Sequence, residues 1–331
     1  KNTLNMQGLV KFLKYVIIAT FTIEGIGALL LSIKFIPEYG LATGTGYSIF
    51  HAISAFCNAG FDIIGEYSLM TYQDNALVML TISALIILSG LGFMVYKDVL
   101  TFRKSRRLKL HTKIVLSYTL ALLIVPTILF LILEWSNPET LANLSVKGKV
   151  LGAFFQSVTP RTAGFFSIDQ AGIKDGSYLM TILLMFIGGA PAGTAGGFKI
   201  TTLAVLILAA RANLKNSDQI YVFHRRIPKD IVEKALTLFI VSLVWILSVV
   251  LILTITEQNM TITDLVYETI SAYGTVGLTR GITPQLSQIG KIVIAFTMLF
   301  GKLGPITMVY ALTKTSKKKS YKEAEERILV G

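Results

Sequence analysis

The sequence predicts an all-α, polytopic membrane protein assembled from repeated units: a long helix, a re-entrant short helix with its loop, and a second long helix. Three observations predict this class. Of 331 residues, 53% are hydrophobic and only 15% charged, and the mean hydropathy is +0.65; ordinary soluble domains carry about 25% charged residues. Several apolar runs are long enough to cross a bilayer, which takes roughly 20 residues each, and charge clusters separate them. A long, short, long sequence of apolar runs also occurs three times in register.

In the first copy the long run covers Lys11 to Ile36 and is ended by Pro37. A glycine-rich turn leads to a short apolar piece, Tyr47 to Phe56, and then to a long run, Ala76 to Tyr96. The second copy reads Lys113 to Leu133, Lys149 to Val158 and Ser177 to Ala210; the third reads Ile231 to Thr254, Ile262 to Tyr273 and Ile289 to Leu312. The short pieces cannot span. Each runs into a glycine: Asn58-Ala59-Gly60-Phe61, Thr162-Ala163-Gly164-Phe165 and Thr275-Val276-Gly277-Leu278, with glycine spacings of 104 and 113 residues. Ser54-Ala55-Phe56 and Ser271-Ala272-Tyr273 occupy equivalent places, with Val158-Thr159-Pro160 between them in the series. Such self-similarity at a fixed period marks an internal duplication. The units are expected at 1–110, 111–230 and 231–313, followed by a basic tail at 314–331.

Charge sets the topology. The formal charge is +12 and the pI near 9.6, a balance that could suggest nucleic acid. The basic residues, however, lie in the connection from Lys97 to Lys113, the connection from Arg211 to Lys234, and the tail from Lys314 to Arg327, while Glu38 to Asp74 and Glu257 to Glu268 are nearly devoid of them. This is the positive-inside asymmetry, so the reading is topology and not nucleic-acid binding, with both termini of the chain cytoplasmic. Each unit then starts and ends inside, and each short helix dips in from the outer face as a re-entrant hairpin. Enzyme chemistry finds no support: Cys57 is the single cysteine, there are three histidines, and neither a His-Glu-x-x-His nor a Gly-x-Ser-x-Gly motif occurs.

Non-helical backbone at membrane depth survives only where protein or water covers it. The three loops are therefore expected to line a shared wet interior. No ring of Asp or Glu flanks them, which leaves main-chain carbonyls as the ligands. Alternating left-handed conformations, which glycine adopts freely, point consecutive carbonyls at one axis. A helix ending at the loop adds the negative end of its dipole. Rings of carbonyls that replace a hydration shell are how potassium filters work. Close helix packing explains one glycine; three glycines at corresponding points favour the filter.

Here the sequence resembles the superfamily of potassium transporters containing TrkH, Ktr and the plant HKT proteins, most nearly the bacterial Ktr membrane subunits (KtrB/KtrD-like). The carriers are Phe50 to Phe61, Thr159 to Phe165, Ser271 to Thr279, the stretch Gly188 to Gly197, and Gly301-Lys302-Leu303-Gly304-Pro305. The resemblance implies potassium as the transported ion, bound at a filter formed by Asn58, Ala59, Gly60, Thr162, Ala163, Gly164, Thr275, Val276 and Gly277. It implies a homodimer in the cell membrane on a cytoplasmic nucleotide-binding ring (KtrA/KtrC-like), with no cofactor in this chain and sodium as a candidate activator. The family has four such units and this sequence shows three. The chain begins at Lys1 without an initiating methionine, so a first unit is expected upstream.

The run Ser177 to Ala210 exceeds one span, and its centre reads Gly188-Gly189-Ala190-Pro191-Ala192-Gly193-Thr194-Ala195-Gly196-Gly197. Glycine lowers helix stability by about 1 kcal/mol per residue and proline by about 3, so an unwound intramembrane loop is expected, a candidate gate. The resemblance sets such a loop directly below the filter. Lys302 stands apart from the tail cluster, and an intramembrane ammonium usually faces a cavity or a partner; by resemblance it reaches toward the pathway. Glu24, inside the first run, is expected to turn toward protein. For Arg161 bracing of the loop carbonyls and repulsion of cations stay open, as do structural and outer-surface roles for Glu268. The rival to a gated filter is a secondary transporter whose broken helices bind substrate at the midplane, and a scaffold is the third reading. Three copies in one orientation argue against the former, and purposeless glycine loops against the latter.

Overall fold

The computed structural model describes residues 6–65, 67–217 and 219–304. The first unit consists of α1 (Met6–Tyr39), α2 (Leu41–Phe56), α3 (Ala76–Leu91) and α4 (Phe93–Ser105). The second consists of α5 (Leu110–Glu134), α6 (Val146–Val158), α7 (Asp175–Phe186) and α8 (Ile200–Leu214). An antiparallel hairpin of β1 (Ile220–Val222) and β2 (Arg225–Ile227), with Ile220 opposite Ile227, leads to α9 (Lys229–Thr256), α10 (Ile262–Gly274) and α11 (Gln288–Leu303). The tail from residue 314, Pro305 and the end of the last apolar run lie outside the described residues.

Among the described residues three helical stretches are long and apolar enough to cross a membrane by themselves, Val10–Tyr39, Leu110–Glu134 and Lys229–Thr256, with mean hydropathies of 2.1, 2.5 and 3.0, and the bent pair Ala76–Leu91 and Phe93–Arg103 makes a fourth if taken as one span. Their outer faces carry exposed Phe21, Leu29, Ile132 and Leu251. So much exposed apolar surface suits lipid and would be a liability in water. The short helices are the opposite. On α2, α6 and α10 the polar His51, Ser54, Gln156, Ser157, Glu268 and Thr269 are all buried, because the long helices screen them from lipid. Two aromatic-rich cores hold them: Phe35, Phe56, Phe155 and Phe165 around α2 and α6, and Phe130, Tyr267, Tyr273 and Phe300 around α10. Trp245 stacks on Phe300 with centroids 4.1 Å apart.

The first long helix of each unit ends in a glutamate that holds either the approach to a later helix or its N-cap. Tyr72 Oη donates to Glu38 at 2.9 Å, the Lys174 amide to Glu134 at 3.0 Å and the Ser287 amide to Glu257 at 3.0 Å. Lys174 and Ser287 are the N-cap residues of α7 and α11, so these carboxylates also face the positive ends of helix dipoles. The Ser287 hydroxyl and amide hold the Glu257 carboxyl below the usual carboxylate range. Sequence reading passed over this threefold feature.

Several boundaries differ from the sequence expectation. Pro37 lies within α1, which runs on to Tyr39 before Gly40 turns the chain at φ 82°. The glycine-rich stretch after it is helical, so α2 starts at Leu41 and not at Tyr47. Gly44 serves a helix crossing: a β-carbon built there would stand 2.4 Å from the Phe35 carbonyl oxygen. The run Ala76 to Tyr96 reads as one helix but is two, bent by 90° at Gly92 (φ 83°). The last helix likewise ends at Leu303, capped by Gly304 at φ 84°, which puts Lys302 in its final turn and not in its interior. The break between Ile187 and Lys199 agrees with the sequence expectation. The second long runs of the first two units are thus interrupted, at Gly92 and between Ile187 and Lys199.

Gly44→Val is expected to destabilise the protein by about 1–3 kcal/mol through overpacking against α1, whereas Gly46→Ala, which meets nothing within 4 Å, is expected to hold or raise the melting temperature. Equal melting temperatures for the two purified variants would contradict this account of the α1–α2 crossing.

Candidate functional site

The loops after the three short helices share one backbone pattern. Asn58, Thr162 and Thr275 have φ of 50°, 77° and 51°, and Gly60, Gly164 and Gly277 have φ of 72°, 94° and 93°. The residues between them, Ala59, Ala163 and Val276, keep negative φ. Alternation of this kind turns successive peptide planes so that their carbonyls leave the chain on the same side. The glycines adopt it freely, but Asn58 and the two β-branched threonines do not. A left-handed conformation costs such residues about 1–2 kcal/mol each, strain of the sort found at functional sites.

Hydrogen bonds to the short helices hold the pattern. The middle amides point backward, Ala59 N to Ser54 O at 2.9 Å, Ala163 N to Thr159 O at 3.0 Å and Val276 N to Ser271 O at 2.8 Å. That use of the amides satisfies the helix C-termini and leaves the loop oxygens free to face forward. Ser54 Oγ donates to the Phe61 carbonyl at 2.7 Å, and Thr159 Oγ1 donates to the Phe165 carbonyl. Ser54 of the first Ser-Ala-aromatic triplet and Thr159, one residue out of register with it, therefore supply the same clasp.

The loops meet. A β-carbon built on Gly60 would lie 2.1 Å from the Ala163 oxygen, and one on Gly164 would lie 2.4 Å from the Val276 oxygen and 3.3 Å from Gly60 Cα. One built on Gly277 meets only Gly164 Cα, at 3.6 Å. The structure thus brings the three glycines together in the order 60, 164, 277, with the free side of the arc at Gly277.

The segment 187–199 closes against the helix end of all three loops. Thr194 Oγ1 accepts from Asn58 Nδ2 at 3.1 Å and donates to the Phe56 carbonyl at 3.1 Å. A β-carbon on Gly188 would stand 3.5 Å from the Thr162 methyl, and one on Gly196 would stand 2.1 Å from Thr275 Oγ1. On one flank the segment leans on the α3–α4 break, through Ala190 N to Gly90 O at 2.8 Å and Phe93 N to Ala192 O at 3.1 Å. On the other, Lys302 Nζ donates to the Thr194 carbonyl at 2.8 Å. Lys199 Nζ donates to the Ala195 carbonyl at 2.6 Å. Gly189, Pro191, Gly193 and Gly197 complete a segment whose shape is set by backbone contacts more than by side chains.

Lys199 was not singled out from sequence, although a lysine bordering an intramembrane glycine run is the signal that finds it. Asn58, Thr162 and Thr275 were expected at the loops, but not their left-handed backbone, since nothing in their side chains announces it. Glu24 is buried as expected, with Cys57 Sγ 3.8 Å away as a weak donor. Arg161 is buried, its Nε has no hydrogen-bond partner, and it does not brace the loop by that donor. Glu268 is buried and accepts from Thr283 Oγ1 at the exit of the third loop, which favours the structural role.

Comparison with known proteins follows the same lines. The family model described as "TrkH: Cation transport protein" matches residues 1–323. The potassium/sodium uptake protein NtpJ of Enterococcus hirae is 42% identical over 335 residues, covering 100% of this chain and 74% of that protein. The Ktr system potassium uptake protein B of Bacillus subtilis is 42% identical over 314 residues, covering 95% and 70%. Among solved structures, the potassium transporter TrkH from Vibrio parahaemolyticus superposes with a TM-score of 0.74 over 93% of this chain and 64% of that one. At 20% identity that likeness speaks for the fold alone. Alternating φ in three convergent loops, the broken helices beside them and a family match along nearly the whole length lead to one assignment: this chain is a membrane protein belonging to the TrkH family of cation transport proteins.

Proposed function

We propose that this chain is the potassium-translocating subunit of a bacterial uptake system, conducting as a channel does through main-chain oxygens of Asn58 to Gly60, Thr162 to Gly164 and Thr275 to Gly277. One observation carries the reading: three loops repeat the same sign-alternating backbone and meet at their glycines. Carbonyl oxygens aimed at a common axis replace the hydration shell of an alkali cation. The negative ends of α2, α6 and α10 lower the energy of positive charge there. The names of the relatives, potassium/sodium uptake and Ktr system potassium uptake, support potassium as the cargo and keep sodium as a candidate activator.

The segment Gly188 to Gly197 acts as the gate. It touches one residue of each loop at their helix ends, and it holds two ammonium groups, Lys199 and Lys302, close to the pathway. Opening requires release of Thr194 from Asn58 and from Lys302. Around this centre the chain is organised as pore units 1–110, 111–230 and 231–313 with a cytoplasmic tail at 314–331. Two copies pair in the cell membrane, with both termini of the chain on the cytoplasmic side and a nucleotide-binding ring docked there. The breaks at Gly92 and Ile187 also suit a carrier with a midplane site, but such carriers build it from inverted halves.

In proteoliposomes, rubidium is expected to move down its gradient, and deletion of Gly189 to Gly196 is expected to raise the flux sharply; unchanged flux from the correctly folded deletion would contradict the gate. Lys302→Ala is expected to raise the uptake rate with little loss of folded protein. The filter makes a graded prediction. Gly277→Ala has room and meets only the left-handed penalty, so uptake falls by roughly tenfold, whereas Gly60→Ala also strikes the Ala163 oxygen and abolishes uptake. Equal losses in variants of equal melting temperature would contradict the arc.

A further inference from the structure

The connection between α4 and α5 and the tip of the β1–β2 hairpin enclose a basin of about 820 Å³. Six of its lining residues are Lys or Arg, among them Arg106, Lys109, Lys113, Arg225 and Arg226, and none is Asp or Glu. Lys113 Nζ sits 5.5 Å from the centroid of the Phe223 ring, which fixes it toward the hairpin. The N-terminus of α5 at its edge is already occupied by the Asp98 carboxylate, which accepts from the Lys109 amide at 2.8 Å, so the attraction for an anion comes from the cationic side chains. Cationic side chains from two elements therefore face one volume.

A second cavity of about 390 Å³ continues from the first, sharing Leu110 and Arg226 with it. Its walls are Ile114 on α5, Val205 on α8, Ile227, and Ile231 and Leu238 on α9. Because α5 and α9 are two of the three stretches able to cross a membrane, this groove runs along the ends of spanning helices on the positively charged side. His111 also lines it, with Nε2 buried and without a hydrogen-bond partner. The pair of cavities is thus graded from cationic to polar to apolar. A soluble anion would fill the basin and leave the groove empty.

We propose that the basin and groove bind one anionic phospholipid of the cytoplasmic leaflet. Its phosphate lies against Lys113, Arg225 and Arg226, its glycerol ester region beside His111 Nε2, and an acyl chain along Ile114, Ile231 and Leu238. Basic side chains at the leaflet surface attract such lipids at about 1 kcal/mol each, and the apolar wall adds the burial of chain methylenes. Thr201 and Thr202 of α8, just beyond the segment 187–199, line the same groove. Occupancy therefore bears on the helix to which that segment is anchored. The proposal is independent of the filter and stands or falls separately from it.

The test is native mass spectrometry of the delipidated, detergent-solubilised full chain titrated with short-chain phosphatidylglycerol or phosphatidylcholine. Phosphatidylglycerol is expected to bind stoichiometrically and phosphatidylcholine not. The Lys113→Gln/Arg226→Gln variant is expected to lose affinity by roughly thirtyfold, and Leu238→Trp, which fills the groove and leaves the charges intact, is expected to lose it as well. Melting temperatures like that of the unaltered protein establish that both variants fold; Ile231→Trp replaces Leu238→Trp should the latter not fold. Equal binding of the two lipids, or unchanged binding in both variants, overturns the proposal. Displacement of the lipid by inorganic phosphate would overturn it in favour of a soluble anion, and displacement by poly-glutamate in favour of an acidic protein partner.

Discussion

The structure depends on three loops of alternating left-handed backbone that bring Gly60, Gly164 and Gly277 together at the ends of three short helices. A peptide group at membrane depth must have its amide satisfied by protein, and here the satisfying acceptors are the C-terminal carbonyls of the short helices, Ser54 O, Thr159 O and Ser271 O. The two needs solve each other: the helix end loses its orphan acceptors and the loop keeps its oxygens forward. Everything outside follows. The short helices carry polar residues and cannot touch lipid, so a long helix stands on each side of them. The long helices take lipid on their outer faces and so read as uninterrupted apolar runs.

This dependence explains which features were legible in the sequence. Period and length disclosed the long and short helices, and the repeated Gly60, Gly164 and Gly277 disclosed the loops, because a left-handed backbone selects glycine. The same conformation at Asn58, Thr162 and Thr275 selects nothing visible; the strain there is carried by surrounding hydrogen bonds that sequence does not show. The break at Gly92 was hidden for another reason. One glycine in an apolar run costs a helix only about 1 kcal/mol, so nothing distinguishes it from a packing glycine until the 90° bend is seen. Ten residues rich in glycine around Pro191 leave no such ambiguity. Gly44 failed in the opposite direction, reading as a turn while serving the approach of α2 to Phe35.

The segment 187–199 sits where the constraint is most exposed to change. Its contacts with the three loops run through Thr194, Gly188 and Gly196, each small enough to let backbone meet backbone. Of its two lysine donors, Lys199 is its own last residue and Lys302 comes from α11. Main-chain hydrogen bonds of Gly188, Ala190, Phe198 and Ile200 and the buried Ala190, Ala195 and Phe198 hold the segment in place. Because the α3–α4 run bends at Gly92 beside the segment and α11 ends at Leu303 next to it, the segment is bordered by helix ends and not by continuous helix walls.

The central claim is that the oxygens of the three loops converge on one bound alkali cation. The most direct measurement is anomalous diffraction from crystals of the protein grown in rubidium or thallium. The account predicts a peak on the axis shared by Gly60, Gly164 and Gly277, within coordination distance of the carbonyls of all three loops. A structure with the same fold whose heavy cations sit only against Glu24, Glu268 or the surface carboxylates, with the loop axis empty at saturating concentration, would contradict it.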